Sequence, residues 1–159
     1  VLLETKIMSD EEYKARERPH KLETFMGFAR LLEKQSTCLR NQFASMIITH
    51  DFSQVLAIGY NGQPKGCQNY CLSLEQGKCG CVHSEANTCI KYPYGLHKNV
   101  IMLITGNPCY TCATYIINAG IEHVIYDREY TSDNFAGLEL LKSVGIKVEK
   151  LDDAIKNWR

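Results

Sequence analysis

Apolar residues recur at helical spacing over 20–35, HKLETFMGFARLLEKQ, where Leu22, Phe25, Met26, Ala29, Leu31 and Leu32 share one side. Pro19 suits the first turn of that helix. Two β-rich runs follow, Phe43–Thr49 and Val55–Tyr60, and His50-Asp51-Phe52-Ser53 between them reads as a hairpin turn. Residues 59–71, GYNGQPKGCQNYC, read as a loop because three glycines and a proline punctuate them. Residues 83–92 read as a helix. Asn99–Thr105 reads as a buried strand with Val100 to Leu103 consecutively apolar, and Gly106-Asn107-Pro108 ends it. Cys109–Ala119 is predicted as a helix closed by Gly120, Ile121–Tyr126 as a strand, and Ser132–Val144 as a helix closed by Gly145. Ile146–Val148 and Asp152–Trp158 complete the pattern as a short strand and a last helical turn or two.

The order is α-β-β-α-β-α-β-α-β-α. Alternation of strands and helices in the second half predicts an α/β protein with helices on both faces of one sheet, a three-layer α/β/α sandwich. The opening hairpin makes one strand pair antiparallel, so the central five-stranded sheet is expected to be mixed. With 159 residues the chain is expected to form a single domain, residues 1–159, with a core large enough to need no disulfides.

Eighteen basic and eighteen acidic residues cancel. This argues against a duplex nucleic-acid or membrane-surface binder, which carries a basic excess. The first residues hold no apolar run of signal-peptide or membrane-spanning length, so an intracellular, cytoplasmic location is expected (the host cytoplasm for a phage protein). In a reducing compartment eight cysteines point to metal ligands, catalytic thiols or buried small hydrophobes rather than disulfides.

Two motifs carry chemistry: His83-Ser84-Glu85 and Pro108-Cys109-Tyr110-Thr111-Cys112, each at a predicted helix start. Cys109 and Cys112, three apart, lie on one face of a first turn. With His83 they make a three-ligand nitrogen and sulfur set that leaves one tetrahedral position open, the pattern of a catalytic zinc. Two thiolates offset the charge of the ion, so a separate base is needed, and Glu85, two residues past the ligand, fits that role. A C-x-x-C pair alone reads equally as a redox couple or as buried hydrophobes. The upstream H-x-E is what favours metal and matches the signature of zinc nucleobase deaminases, in which the glutamate shuttles protons.

The full set of motifs resembles the deoxycytidylate (dCMP) deaminases of phage and bacterial type, in the cytidine deaminase superfamily. The matching pieces are Ser36-Thr37-Cys38-Leu39-Arg40, Gly59-Tyr60-Asn61-Gly62 with Pro64 and Gly66, His83-Ser84-Glu85-Ala86-Asn87, Pro108 to Cys112, and Ile117 to Ile121 leading to Tyr130. The resemblance implies zinc-dependent hydrolysis of dCMP to dUMP and ammonia, feeding thymidylate synthesis. It implies that His83, Cys109 and Cys112 hold zinc and that Glu85 moves protons. Backbone groups near Ser84 and Ala86 would read the pyrimidine, Asn61 would contact the deoxyribose, and Tyr130 and Arg40 would hold the phosphate. Cys38, Cys71, Cys79 and Cys81 match the layout of a second, structural zinc in relatives. A homohexamer activated by dCTP and inhibited by dTTP is the family habit.

Two departures stand out. Ser84 replaces the usual alanine, and Phe43-Ala44-Ser45 stands where relatives read Val-Gly-Ala, which crowds the region behind the nucleotide pocket. Rival readings are a deaminase acting on dCTP as well as or instead of dCMP, and a zinc-stabilised module that binds or deaminates single-stranded nucleic acid.

Overall fold

The computed structural model describes residues 8–14, 16–75, 77–130 and 135–158. Its helices are α1 (Asp10–Lys14), α2 (Lys21–Leu32), α3 (Ser84–Lys91), α4 (Tyr110–Asn118), α5 (Phe135–Ser143) and α6 (Leu151–Asn157). Its strands are β1 (Ala44–Thr49), β2 (Val55–Tyr60), β3 (Val100–Gly106), β4 (His123–Arg128) and β5 (Lys147–Lys150). They form one mixed sheet in the order β2-β1-β3-β4-β5, antiparallel from β2 through β3 and parallel from β3 through β5.

Alternation along β1 and β3 divides the core between two faces. Met46, Ile48, Ile101 and Leu103 pack with Leu22, Met26 and Ala29 of α2 and with Leu151 and Ala154 of α6. Ile47, Met102 and Ile104 point the other way, to Ala113 and Ile116 of α4 and Leu141 of α5. β3 is buried along its whole length, as a strand covered on both faces must be. The five-stranded α/β/α architecture expected from the sequence is therefore present.

The differences are local. Pro19 lies outside α2, because His20 is the N-cap: its Nδ1 accepts from Leu22 N at 3.1 Å, and Glu23 Oε2 in turn accepts from His20 N at 3.0 Å. The strand expected at 121 begins at His123, since Ile121 N–H is spent on Ile116 O at 3.3 Å, closing α4. Asn99, at φ 55°, is a turn residue and β3 starts one position later. The last strand begins at Lys147, with Ile146 N–H still bonded to Leu141 O at 3.1 Å. Gly120 and Gly145 stand at φ 68° and 84°, left-handed positions that close α4 and α5 as expected. The predicted helix start at Ser132 lies outside the described residues. Helix α1 was not anticipated; none of its residues is buried, so no apolar periodicity marks it. Among the described residues no helix is long and apolar enough to cross a membrane.

Candidate active site

The two motifs meet because two helix N-termini converge. His83 is the N-cap of α3 in extended conformation, and Cys109 is the N-cap of α4, its Sγ accepting from Cys112 N at 3.4 Å. Gly137 of α5 lets that corner pack: a Cβ there would collide with Pro108 O and the Cys109 backbone. Sequence periodicity gives no hint of this contact.

His83 Nδ1 stands 3.6 Å from Cys109 Sγ and 3.4 Å from Cys112 Sγ. A tetrahedral zinc with bonds of ~2.3 Å to sulfur and ~2.05 Å to nitrogen holds those atoms about 3.6 Å apart. All three donor atoms lie within 4.8 Å of one another, so the residues present fit the ion. The electrostatics agree. The hydrogen bond from the Cys112 thiol, with His83 alongside, pulls the Cys109 thiol down to about 4 against the effect of burial. That same bond, together with burial, pushes Cys112 up. His83 is raised by its contact with Cys109. A lowered Cys109 thiol suits a metal ligand, which binds as the thiolate.

Glu85 is 6% exposed, and burial raises its pKa above the ordinary carboxylate value. Ser84, fully buried, donates its hydroxyl to Glu85 Oε2 at 2.9 Å. Behind it the buried Thr88 hydroxyl donates to Ser84 O at 2.9 Å and lies 2.7 Å from Ser45 Oγ, fixing α3 to β1. Ser45 therefore takes part in seating α3 against β1.

A cavity of about 440 Å³ opens beside these groups and is lined by His83, Ser84, Glu85 and Cys109. Asn61, Arg40 and Tyr130, expected substrate contacts, line it too. Asn61 is 6% exposed and braces the wall, accepting from Phe43 N at 2.8 Å and donating to Asn41 O at 2.8 Å. Arg40 reaches the Tyr130 hydroxyl at 3.5 Å. Ala86 is buried on α3 and is not part of the cavity wall. Asn41 and Asn107, which sequence reading did not select, also line the cavity.

A second sulfur cluster joins Cys38, Cys71 and Cys81, again within 4.8 Å. Cys79 is outside that group, although burial first and then contact with Cys79 and Cys38 push the Cys81 thiol up to about 12. Among the described residues Cys67 is exposed and Cys89 lies on α3, both away from the two clusters.

A three-donor metal corner at two helix N-termini, with Cys112 buried and His83 exposed, on a mixed sheet and beside a buried glutamate, is the arrangement of a zinc-binding deaminase fold. The model of the cytidine and deoxycytidylate deaminase zinc-binding region matches residues 19–128, and the chain belongs to that family. Among its relatives is the deoxycytidylate deaminase of Schizosaccharomyces pombe, 29% identical over an alignment of 139 residues that covers 79% of this chain and 42% of that protein. The chain thus spans less than half the length of that relative. The deoxycytidylate deaminase of Mycobacterium phage D29 is 28% identical over 127 residues, 70% of this chain and 98% of the phage protein. The crystal structure of the dCMP deaminase of cyanophage S-TIM5 in complex with dCMP and dUMP superposes with a TM-score of 0.72. It is 29% identical and covers 85% of this chain and 99% of that one.

Proposed function

We propose that this chain is a zinc-dependent deaminase that converts dCMP to dUMP with release of ammonia. One observation carries the reading: His83 and Cys109 of the three-donor triangle and the buried Glu85 share a cavity with Arg40 and Tyr130. A single nucleotide can then reach both the reacting corner and a cation.

His83, Cys109 and Cys112 would hold the zinc, which when bound supplies a Lewis acid and lowers the pKa of water toward neutrality. Glu85 takes a proton from water, gives one to the ring nitrogen of cytosine and passes another to the departing amine. Its burial suits this work, because desolvation raises a carboxyl above its ordinary value and makes it a better proton acceptor. Ser84 steadies one carboxylate oxygen, and Asn61 sets the wall against the deoxyribose. Arg40 and Tyr130 supply donors to the phosphate dianion.

The Cys38, Cys71 and Cys81 cluster is proposed as a second, structural zinc site of three thiols, with Cys79 outside that group. It would tie the loop between β2 and α3 to the segment before β1. A single deaminase domain, a cytoplasmic setting, a homohexamer, activation by dCTP and inhibition by dTTP complete the proposal on the strength of the family resemblance.

The test is loss of the cytosine ultraviolet band with dCMP, dCTP and deoxycytidine side by side, before and after chelation, with dCTP or dTTP added in parallel. Fast, chelator-sensitive loss with dCMP supports the reading. Preference for dCTP moves the substrate assignment to the triphosphate. No loss with any of the three rejects a mononucleotide substrate and turns the search to single strands.

A further inference from the structure

A second cavity, of about 480 Å³, adjoins the first: Arg40, Asn41, Phe43 and Tyr130 line both. The other charged residues along its wall are Glu33, Arg128 and Glu129. Space for a longer phosphate chain therefore exists beside the two groups assigned to the phosphate, and charge decides what can use it.

The arginine of that second cavity is already engaged. Arg128 Nη2 donates to Glu33 Oε2 at 2.7 Å and to Gln42 O at 3.1 Å, and its Nη1 donates to Glu33 Oε1 at 3.2 Å. The guanidinium also lies over the Phe43 ring, 5.6 Å from its centroid. The Glu33 side chain is only 15% exposed, so drawing Arg128 toward a ligand would leave a largely desolvated carboxylate unpaired. Glu129 adds a second carboxylate, and its ion-pair partner, Lys150 at 3.6 Å, is not part of the cavity wall. Arg40, on the boundary between the cavities, is in no ion pair among the described residues. One phosphate at Arg40 and Tyr130 thus meets an unpaired cation and a hydroxyl. A second phosphate carried past them meets two carboxylates and one spent arginine. Like charges set against a wrong ligand reject it without weakening the right one.

We propose that Glu33 and Glu129 are specificity-determining residues, their carboxylates restricting the substrate to a nucleoside monophosphate by repelling a second phosphate in the adjoining cavity. This rests on the reading above that Arg40 and Tyr130 hold the first phosphate.

The test is kcat/KM for deamination of deoxycytidine, dCMP and dCDP by zinc-loaded wild type, Glu33→Gln and Glu129→Gln. The diphosphate is used because dCTP is proposed above as an activator. Wild type should favour dCMP over dCDP by about ten-fold or more. Glu33→Gln keeps an acceptor for Arg128 and removes the charge. The ratio of dCMP to dCDP should then fall about five-fold through a gain with dCDP, while dCMP stays within about two-fold of wild type. Glu129→Gln, on a half-exposed side chain, should lower the ratio about two-fold or more and serves if the Glu33 variant does not fold. An unchanged ratio in the folded variants overturns the proposal, and so does wild type that deaminates dCDP as well as dCMP. Parallel changes with dCMP and dCDP also overturn it, since the carboxylates then act on something common to both. The reading beneath it fails separately and before any variant is made, if wild type turns over none of the three or dCMP no better than deoxycytidine.

Discussion

Gly106 makes room for the Phe43 ring: a Cβ on Gly106 would stand 2.5 Å from Phe43 Cε1. The ring fills that space, meets Tyr130 edge-on with centroids 5.1 Å apart, and lines the cavity. The bulk of Phe43 is thus matched by absent bulk at Gly106 on β3. Gly106→Ala is expected to destabilise the protein by about 1–3 kcal/mol through overpacking. In a Phe43→Val background the same change should cost far less. Urea unfolding of the four proteins measures the coupling, and strictly additive effects would show that the two sites do not share the space.

Glu85→Gln preserves the shape of the side chain and removes its ability to take a proton. Zinc content should stay at the wild-type value while turnover of dCMP falls by about 100-fold or more. Metal analysis and single-turnover rates on the same preparation separate the two effects. A variant that keeps its rate would remove Glu85 from the proton path.

Cys38→Ser should yield one zinc fewer per chain than wild type, with the catalytic ion retained. The expectation follows from the three sulfurs within 4.8 Å of one another. Loss of the ion should also loosen the loop between β2 and α3, seen as earlier proteolysis there. An unchanged metal count would make the cluster a set of packed thiols.

Thr88→Val removes a buried hydroxyl that serves Ser84 O and Ser45 Oγ, leaving both without that partner. The cost should be about 1–3 kcal/mol. Thr88→Ser should restore the lost stability, which thermal unfolding would read directly.

Acid should destabilise the fold through His123. The residue is 6% exposed, and burial holds its pKa below the usual 6.5 despite the Glu149 carboxylate at 2.7 Å. Below about 6.5 the unfolded chain takes up a proton that the folded chain does not, so stability falls as pH falls. Glu149 acts in the same direction at lower pH. Against burial, hydrogen bonds from Lys147, Asn157 and His123 keep it below its ordinary value, and that contribution is lost on protonation. The melting temperature should drop between pH 7.5 and about 5, and His123→Gln should flatten the upper part of that curve.

The sequence by itself determined the five strands and the order of the elements after α1, because continuous apolar runs such as Val100–Leu103 and the helical spacing of Leu22, Met26 and Ala29 are local properties of the chain. It also singled out the His83, Cys109 and Cys112 ligand set and Glu85, because metal chemistry constrains residue type and spacing so tightly. Tertiary structure decided what depends on residues distant in the chain. It placed Cys81 rather than Cys79 with Cys38 and Cys71, seated the Phe43 ring against Gly106, and set Gly137 under Pro108. It also brought Asn41 and Asn107 to opposite ends of Tyr130. An asparagine in a loop has no periodicity to betray it, and its meaning lies in which of its hydrogen bonds the fold has already used. Only the packed arrangement leaves the Asn107 Nδ2 buried without a hydrogen-bond partner among the described residues.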